Sequence, residues 1–153
     1  NNAAGSFPRL VDLGVNPKVI SSAINITLAQ RLVRKLCEAC KSEISPDADK
    51  KKIIDDILSS IVDKKNIQGD ALKMWEAKGC SECNGTGYKG RIGIFEAIIM
   101  DESIEALVKK SASEREISDA SISQGLLTIK QDGILKVLKG MTSFDELRRV
   151  VEL

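Results

Sequence analysis

Apolar residues change their spacing twice along the chain, and the changes divide it into residues 1–36, 37–90 and 91–153. In the first region Asn1 or Asn2 is placed to cap a helix over Ala3 to Leu13, with Leu10, Val11 and Leu13 on its apolar side. Pro8 interrupts that span. Either the helix starts near Phe7 with Pro8 in its first turn, or a longer helix kinks there. Gly14 reads as a terminator, and Pro17 opens a second helix through about Ala23. In "INITLAQRLVRKL" Ile24, Ile26 and Leu28 alternate, but Leu32 and Val33 are adjacent. This predicts a helix or turn giving way to a strand around Ala29 to Leu36.

The middle region carries Ile53, Ile54, Ile57, Leu58 and Ile61 at helical spacing, with Pro46 and Asp47 marking the start. "DALKMWEAKG" predicts a further helical turn ended by Gly79, and Trp75 is expected to pack this small unit. In the last region "RIGIFEAIIM" reads as a strand that buries Ile92, Ile94 and part of Ala97 to Ile99. Helices follow. Asp101 caps Glu102 to Lys110, and Ser113 with Glu116 and Ser143 with Glu146 fit capping boxes. "LLTIKQDGILKVLKG" is a helix ending at Gly140. Gly133 inside it costs about 1 kcal/mol relative to Ala. It reads either as a simple helix weakness, the favoured reading, or as a close approach to another backbone.

Composition narrows the function. Hydrophobic residues are 42%, charged residues 29% and aromatics 3% of the 153 residues, which describes a globular chain with an aliphatic core. A net charge of +1 disfavours nucleic acid as a partner. No run of about 18 apolar residues predicts a membrane span. The opening residues resemble a helix cap rather than a secretory leader, so the chain is expected to be a piece of a longer polypeptide. With no histidine, the chain supplies neither a histidine base nor a mixed Cys/His metal site.

The four cysteines form two pairs, Cys37–Cys40 in "CEAC" and Cys80–Cys83 in "CSEC". Two such knuckles offer four soft ligands, which suits tetrahedral Zn²⁺ with Zn–S distances of about 2.3 Å. Gly79, Gly85 and Gly87 supply turn conformations, and Lys35 and Lys41 are near enough in sequence to offset thiolate charge. Disulfides, a redox CxxC and a four-cysteine iron centre are the alternatives. A closed four-ligand site is structural rather than catalytic. The cysteines would then staple the ends of a 39-residue excursion. The apolar segments flanking it, around 29–36 and 91–99, are expected to lie side by side as strands of a parent sheet, with the stapled unit an insertion projecting from that sheet.

"NNAAGSFPRLVDLGV", "LAQRLVRKLC", "GCSECNGTGYKGRIGIFE", "EREI" and "GLLTIKQDGILKVLKGMTSFDELRRV" follow one another in order. Together they resemble the C-terminal part of the type II secretion and type IV pilus assembly ATPases of the secretion ATPase superfamily, outside a variable segment from about Lys41 to Lys78. The resemblance implies an α/β fold: the C-terminal part of a RecA-like ATPase domain, with an inserted small zinc-binding subdomain and a helical C-terminal tail. It implies core sequence over 1–36, the tetracysteine unit over 37–90 and a returning strand with helices over 91–153. It further implies a homohexamer on the cytoplasmic face of the bacterial inner membrane that drives a pilus or pseudopilus through a platform protein. The family's Cys pairs match Cys37, Cys40, Cys80 and Cys83 as zinc ligands. Its ATP and Mg²⁺ motifs lie upstream; no GxxxxGK[ST] occurs here, and no catalytic residue carries over. The chain alone is therefore expected not to hydrolyse ATP.

Single charged residues have paired readings. Arg31, Arg34 and Arg91 either meet a neighbouring subunit or nucleotide, or are solvated and sheet-edge charge, the second favoured. Lys109, Lys110, Arg148 and Arg149 read as exposed helix faces. Glu96 reads as a partner for Arg91 or Lys89, and Tyr88 as a packing residue beside the metal unit. Two other functions compete. "CSECNGTG" matches one CxxCxGxG repeat of a co-chaperone that binds unfolded chains, where four are required. A thiol oxidoreductase would need an exposed, acidified thiolate.

Overall fold

The computed structural model describes residues 2–67 and 73–153. Helix α1 spans Ser6–Asp12 and α2 Pro17–Ala23, followed by strand β1, Ile26–Leu36. The middle region holds β2 (Ser42–Ile44), α3 (Ala48–Ser59) and β3 (Met74–Glu76). Strand β4, Tyr88–Ile99, leads into α4 (Glu102–Lys109), α5 (Glu114–Ser121), α6 (Ile129–Leu138) and α7 (Phe144–Val150). This is a mixed fold of helices around two small sheets.

β1 and β4 pair antiparallel from Ile26 opposite Ile99 to Arg34 opposite Arg91, then slip by a bulge so that Leu36 faces Tyr88. The expected side-by-side placement of the flanking segments is therefore observed, but among the described residues as a two-stranded ribbon rather than part of a larger sheet. β2 and β3 form the second pair, with Ile44 opposite Met74. One face of the β1–β4 ribbon turns inward through Val33, Ile94 and Ile98; the other leaves Leu28, Leu32 and Phe95 exposed.

Two aliphatic clusters lie along that inward face of the ribbon. Val33, Ile54, Met74, Ile94, Ile134, Val137, Phe144 and Leu147 belong to one, which therefore draws on residues before, between and after the two cysteine pairs. Phe7, Ile20, Ile98, Ile104, Val108 and Ile117 belong to the other, under α1, α2, α4 and α5.

Several expectations change. The first helix starts at Ser6, with Pro8 in its first turn; Asn2 accepts the Gly5 N–H at 2.9 Å ahead of it. Leu13 is 75% exposed, because it lies past the helix end where Gly14 turns left-handed. No further helix lies between α2 and the long strand: after Ile24 and Asn25 β1 begins at Ile26, earlier than the expected Ala29, because it pairs with β4 from there on. The helical turn expected in "DALKMWEAKG" is instead strand at Met74–Glu76, because β2 supplies a partner. Asp70 to Leu72 of that stretch lie outside the described residues.

Gly133 marks a close approach to a side chain, not to another backbone. A Cβ there would sit 2.5 Å from Leu147 Cδ1, in a fully buried contact between α6 and α7. Ser143 caps α7 by accepting the Glu146 N–H at 3.1 Å, but the Glu146 carboxylate turns elsewhere, so the capping box is incomplete. The Ser113–Glu116 box is complete, and Thr128 with Gln131 forms another.

Candidate metal centre

The two strands of the ribbon deliver the cysteines to one point. β1 ends at Leu36, just before Cys37, and β4 starts at Tyr88, just after the second knuckle. The Cys37 N–H donates to Gly87 O at 2.9 Å, which extends the ladder by one rung into the site. In the first knuckle Cys37 O accepts from Cys40 N–H at 3.2 Å and Lys41 N–H at 2.9 Å. In the second, Cys80 O accepts from Cys83 N–H at 3.3 Å and Gly85 N–H at 2.9 Å. Each turn aims its two thiols the same way.

Two glycines make the second knuckle possible. Gly79 has φ +93°, and a Cβ there would lie 2.4 Å from Gly85 O. Gly87 has φ +75°, and its Cβ would lie 2.5 Å from the Ala77 side chain. Any other residue would be strained in backbone and blocked in space.

All four Sγ atoms lie within 4.8 Å of one another, and all four cysteines are free. Cys37–Cys80, Cys40–Cys83 and Cys80–Cys83 are separated by 3.9, 3.8 and 3.7 Å. A tetrahedron with Zn–S bonds of about 2.3 Å has S–S edges of about 3.8 Å. The donor set thus fits one soft tetrahedral ion. Cys37 and Cys83 are buried and the other two half-buried. Burial pushes the Cys83 thiol up, yet N–H groups of Cys80 and Gly87 donate to its sulfur at 3.2 and 3.1 Å and hold it at about 6. Burial raises Cys40 to about 12, the Gly79 N–H opposing and the neighbouring thiols adding to it. Lys41 is already engaged: it pairs with Glu38 at 2.6 Å and donates to Gly140 O at 3.2 Å.

A second polar cluster joins β1 to α7 at Glu146. The Glu146 side chain has 0% exposure. It accepts from the Arg34 N–H at 3.0 Å, Arg34 Nε at 2.9 Å, Arg149 Nε at 3.0 Å and a second Arg149 nitrogen at 2.8 Å. Burial opposes its ionisation, but the Arg149 and Arg34 donors outweigh burial and hold it at about 2. The Arg34 guanidinium lies 4.1 Å from the centre of the Tyr88 ring, and Tyr88 Oη and Ser143 Oγ are hydrogen-bonded at 2.6 Å. Tyr88 therefore packs beside the cysteine unit, as expected, and also carries a polar contact to α7.

The other singled-out residues scatter. Arg31 donates to Val150 O, and Arg91 is exposed opposite Arg34. Glu96 meets neither Arg91 nor Lys89: it accepts from Ala3 N–H at 2.8 Å and Ile129 N–H at 3.3 Å, because its register puts it on the inward face. Lys109, Lys110, Arg148 and Arg149 are exposed, but Arg149 also binds Glu146. The only visible signal for that latch is the Glu–Arg spacing of three; its partner Arg34 is 112 residues away.

A family model described as "Type II/IV secretion system protein" matches residues 1–149. The chain belongs to this family. Within the family, the type IV pilus assembly ATPase PilB of Thermus thermophilus is 37% identical over 153 residues, covering 99% of this chain and 16% of that protein. The type II secretion system ATPase E of Vibrio cholerae is 37% identical over 152 residues, covering 99% of this chain and 28% of that protein. The PilB of Myxococcus xanthus is 33% identical over 150 residues, 96% of this chain and 25% of its own length. The chain thus spans less than a third of these type II/IV secretion relatives. Among the described residues, no helix is long and apolar enough to cross a membrane.

Proposed function

We propose that the chain is the distal part of an ATP-driven motor for type IV pilus assembly or type II protein secretion, and that Cys37, Cys40, Cys80 and Cys83 hold one structural zinc in it. In this reading residues 1–36 belong to the edge of a RecA-like ATPase core, 37–90 form the zinc-binding subdomain, and 91–153 return to the core and close it with helices. The motor is a homohexamer at the cytoplasmic face of the bacterial inner membrane, acting on a platform protein of the pilus or secretion machine. ATP and Mg²⁺ bind upstream, so this chain alone does not hydrolyse ATP. The family match and the names of its relatives support the general role.

The convergence of four thiols with S–S separations of 3.7 to 3.9 Å carries the metal part of the reading. The chain's own residues do the structural work. Cys37 and Cys83 anchor the ion from the buried side, and the Cys80 and Gly87 N–H groups favour the thiolate of Cys83. The metal, when bound, supplies cross-linking energy to a unit too small to fold on its own apolar burial. Four ligands leave no open position for a substrate. They also leave no free thiolate for the oxidoreductase alternative.

Elemental analysis, native mass spectrometry and a thiol titration test the reading together. The expected result is one zinc per chain, four thiols titrating only after chelation, and no ATP turnover by the chain alone. Metal-free chain with oxidised cysteines overturns the zinc assignment. ATP turnover overturns the distal-fragment assignment.

A further inference from the structure

Both cysteine knuckles are tied to the same short corner between α6 and α7. The Leu36 N–H, next to the first knuckle, donates to Met141 O at 2.9 Å. Lys41, one residue past Cys40, donates through Nζ to Gly140 O at 3.2 Å. Tyr88, one residue past Gly87, reaches Ser143 Oγ at 2.6 Å. The Trp75 ring lies against Gly140, whose Cβ position is 2.8 Å from Trp75 Cδ2. The corner itself is pinned by Thr142 Oγ1, which donates to Arg34 O at 2.8 Å, and by the buried Glu146. Between the knuckles themselves there are the Cys37–Gly87 rung, the Gly79 N–H toward Cys40 and the sulfur cluster.

We propose that the α6–α7 corner is the retaining brace of the metal centre, with Tyr88, Ser143 and Glu146 as positioning residues, so that metal occupancy and docking of α7 are coupled. The inference rests on the zinc reading above. Each knuckle contributes two thiols, so the ion leaves only when the knuckles separate. A competitor for the ion reaches the half-buried Cys40 and Cys80 first. Further opening then moves Leu36, Lys41 or Tyr88 away from residues 140–143, and that strains the Arg34–Glu146–Arg149 latch through Arg34. Coupling of this kind is reciprocal: whatever loosens α7 loosens the metal, and loss of metal loosens α7.

The test uses the full chain loaded with zinc. Zinc release into excess chromogenic chelator is timed for the unmodified chain and for Tyr88→Phe, Ser143→Ala and Glu146→Gln. Asp101→Asn, at the cap of α4 in the other core cluster, is the control. Groups that orient metal ligands typically change metal affinity by about 10- to 100-fold. Release is expected to quicken by about that factor in the three brace variants and to stay unchanged in the control. Ser143→Thr, which keeps the hydroxyl, restores the slow rate. On chelation, amide hydrogen exchange rises across residues 144–150 and not across 102–109. Equal release rates throughout, or a control as fast as the brace variants, overturn the brace while the zinc reading stands. A chain that takes up no zinc overturns both. If Glu146→Gln does not fold, Tyr88→Phe, which removes one oxygen, decides.

Discussion

Glu146 is a carboxylate without solvent contact, kept ionised by two arginines. Its pKa falls from the ordinary 4.5 to about 2 in the folded chain. A group depressed in this way stabilises the fold fully above its unfolded pKa, and the contribution disappears as pH falls through the folded value. The melting-temperature gap between the unmodified chain and Glu146→Gln should therefore be widest above pH 5 and close toward pH 2. A gap that is constant across that range would contradict the latch. Gly133 gives a second prediction at this scale. Gly133→Ala gains about 1 kcal/mol of helix propensity, but the new methyl meets Leu147 in a filled core, where overpacking costs about 1–3 kcal/mol. The variant should melt at a lower temperature, and a rise would mean that α7 gives way. Sequence spacing identified Gly133 as odd, but its packing contact was not legible, because the Leu147 side chain it meets lies on another helix. Glu146 was legible only as a cap partner, since Arg34 comes from the far end of the chain.

Elements with their own local signals were readable, and those made by partners were not. Asp47, Asp101, Ser113 and Ser143 cap the helices that follow them, each by accepting a backbone N–H. Those caps, together with Pro17, placed most helices to within a few residues. Asp101 also accepts from Gln124 Nε2 at 2.7 Å, so Asp101→Ala should cost about 0.5–2 kcal/mol, read as lost stability in denaturant titration. No change would mean that α4 is held by Ile104 and Val108 alone. β1 began earlier than its apolar pattern suggested because alternation there is enforced by ten register partners on β4. β3 was missed for the same reason: Met74–Glu76 is too short to declare itself without β2. The knuckles were legible because their geometry is local. Two intervening residues set each turn, and in the second knuckle Gly79 and Gly87 allow it.

At the scale of the whole molecule, the cysteines divide the sequence but not the packing. Ile54 and Met74 come from between the two pairs and share a cluster with Val33, Ile134 and Leu147. Truncating a buried Met or Ile to Ala typically costs about 2–5 kcal/mol. Met74→Ala and Ile54→Ala should lower the stability of α6 and α7 along with their own segment, in one cooperative transition by calorimetry and far-ultraviolet dichroism. Two separated transitions would instead describe an insertion that melts alone. The mix of helices and strands and the two cysteine knuckles were read from sequence, whereas the sharing of one core across the knuckles depends on contacts between distant segments. Trp75 lies at that junction: β3 presents its ring to Gly140 at the end of α6, and it is the chain's single tryptophan. The protein therefore carries its own fluorophore at the seam. Its emission wavelength and quenching by acrylamide follow the closing and opening of that seam in unlabelled protein, on the millisecond scale of a stopped-flow mixer.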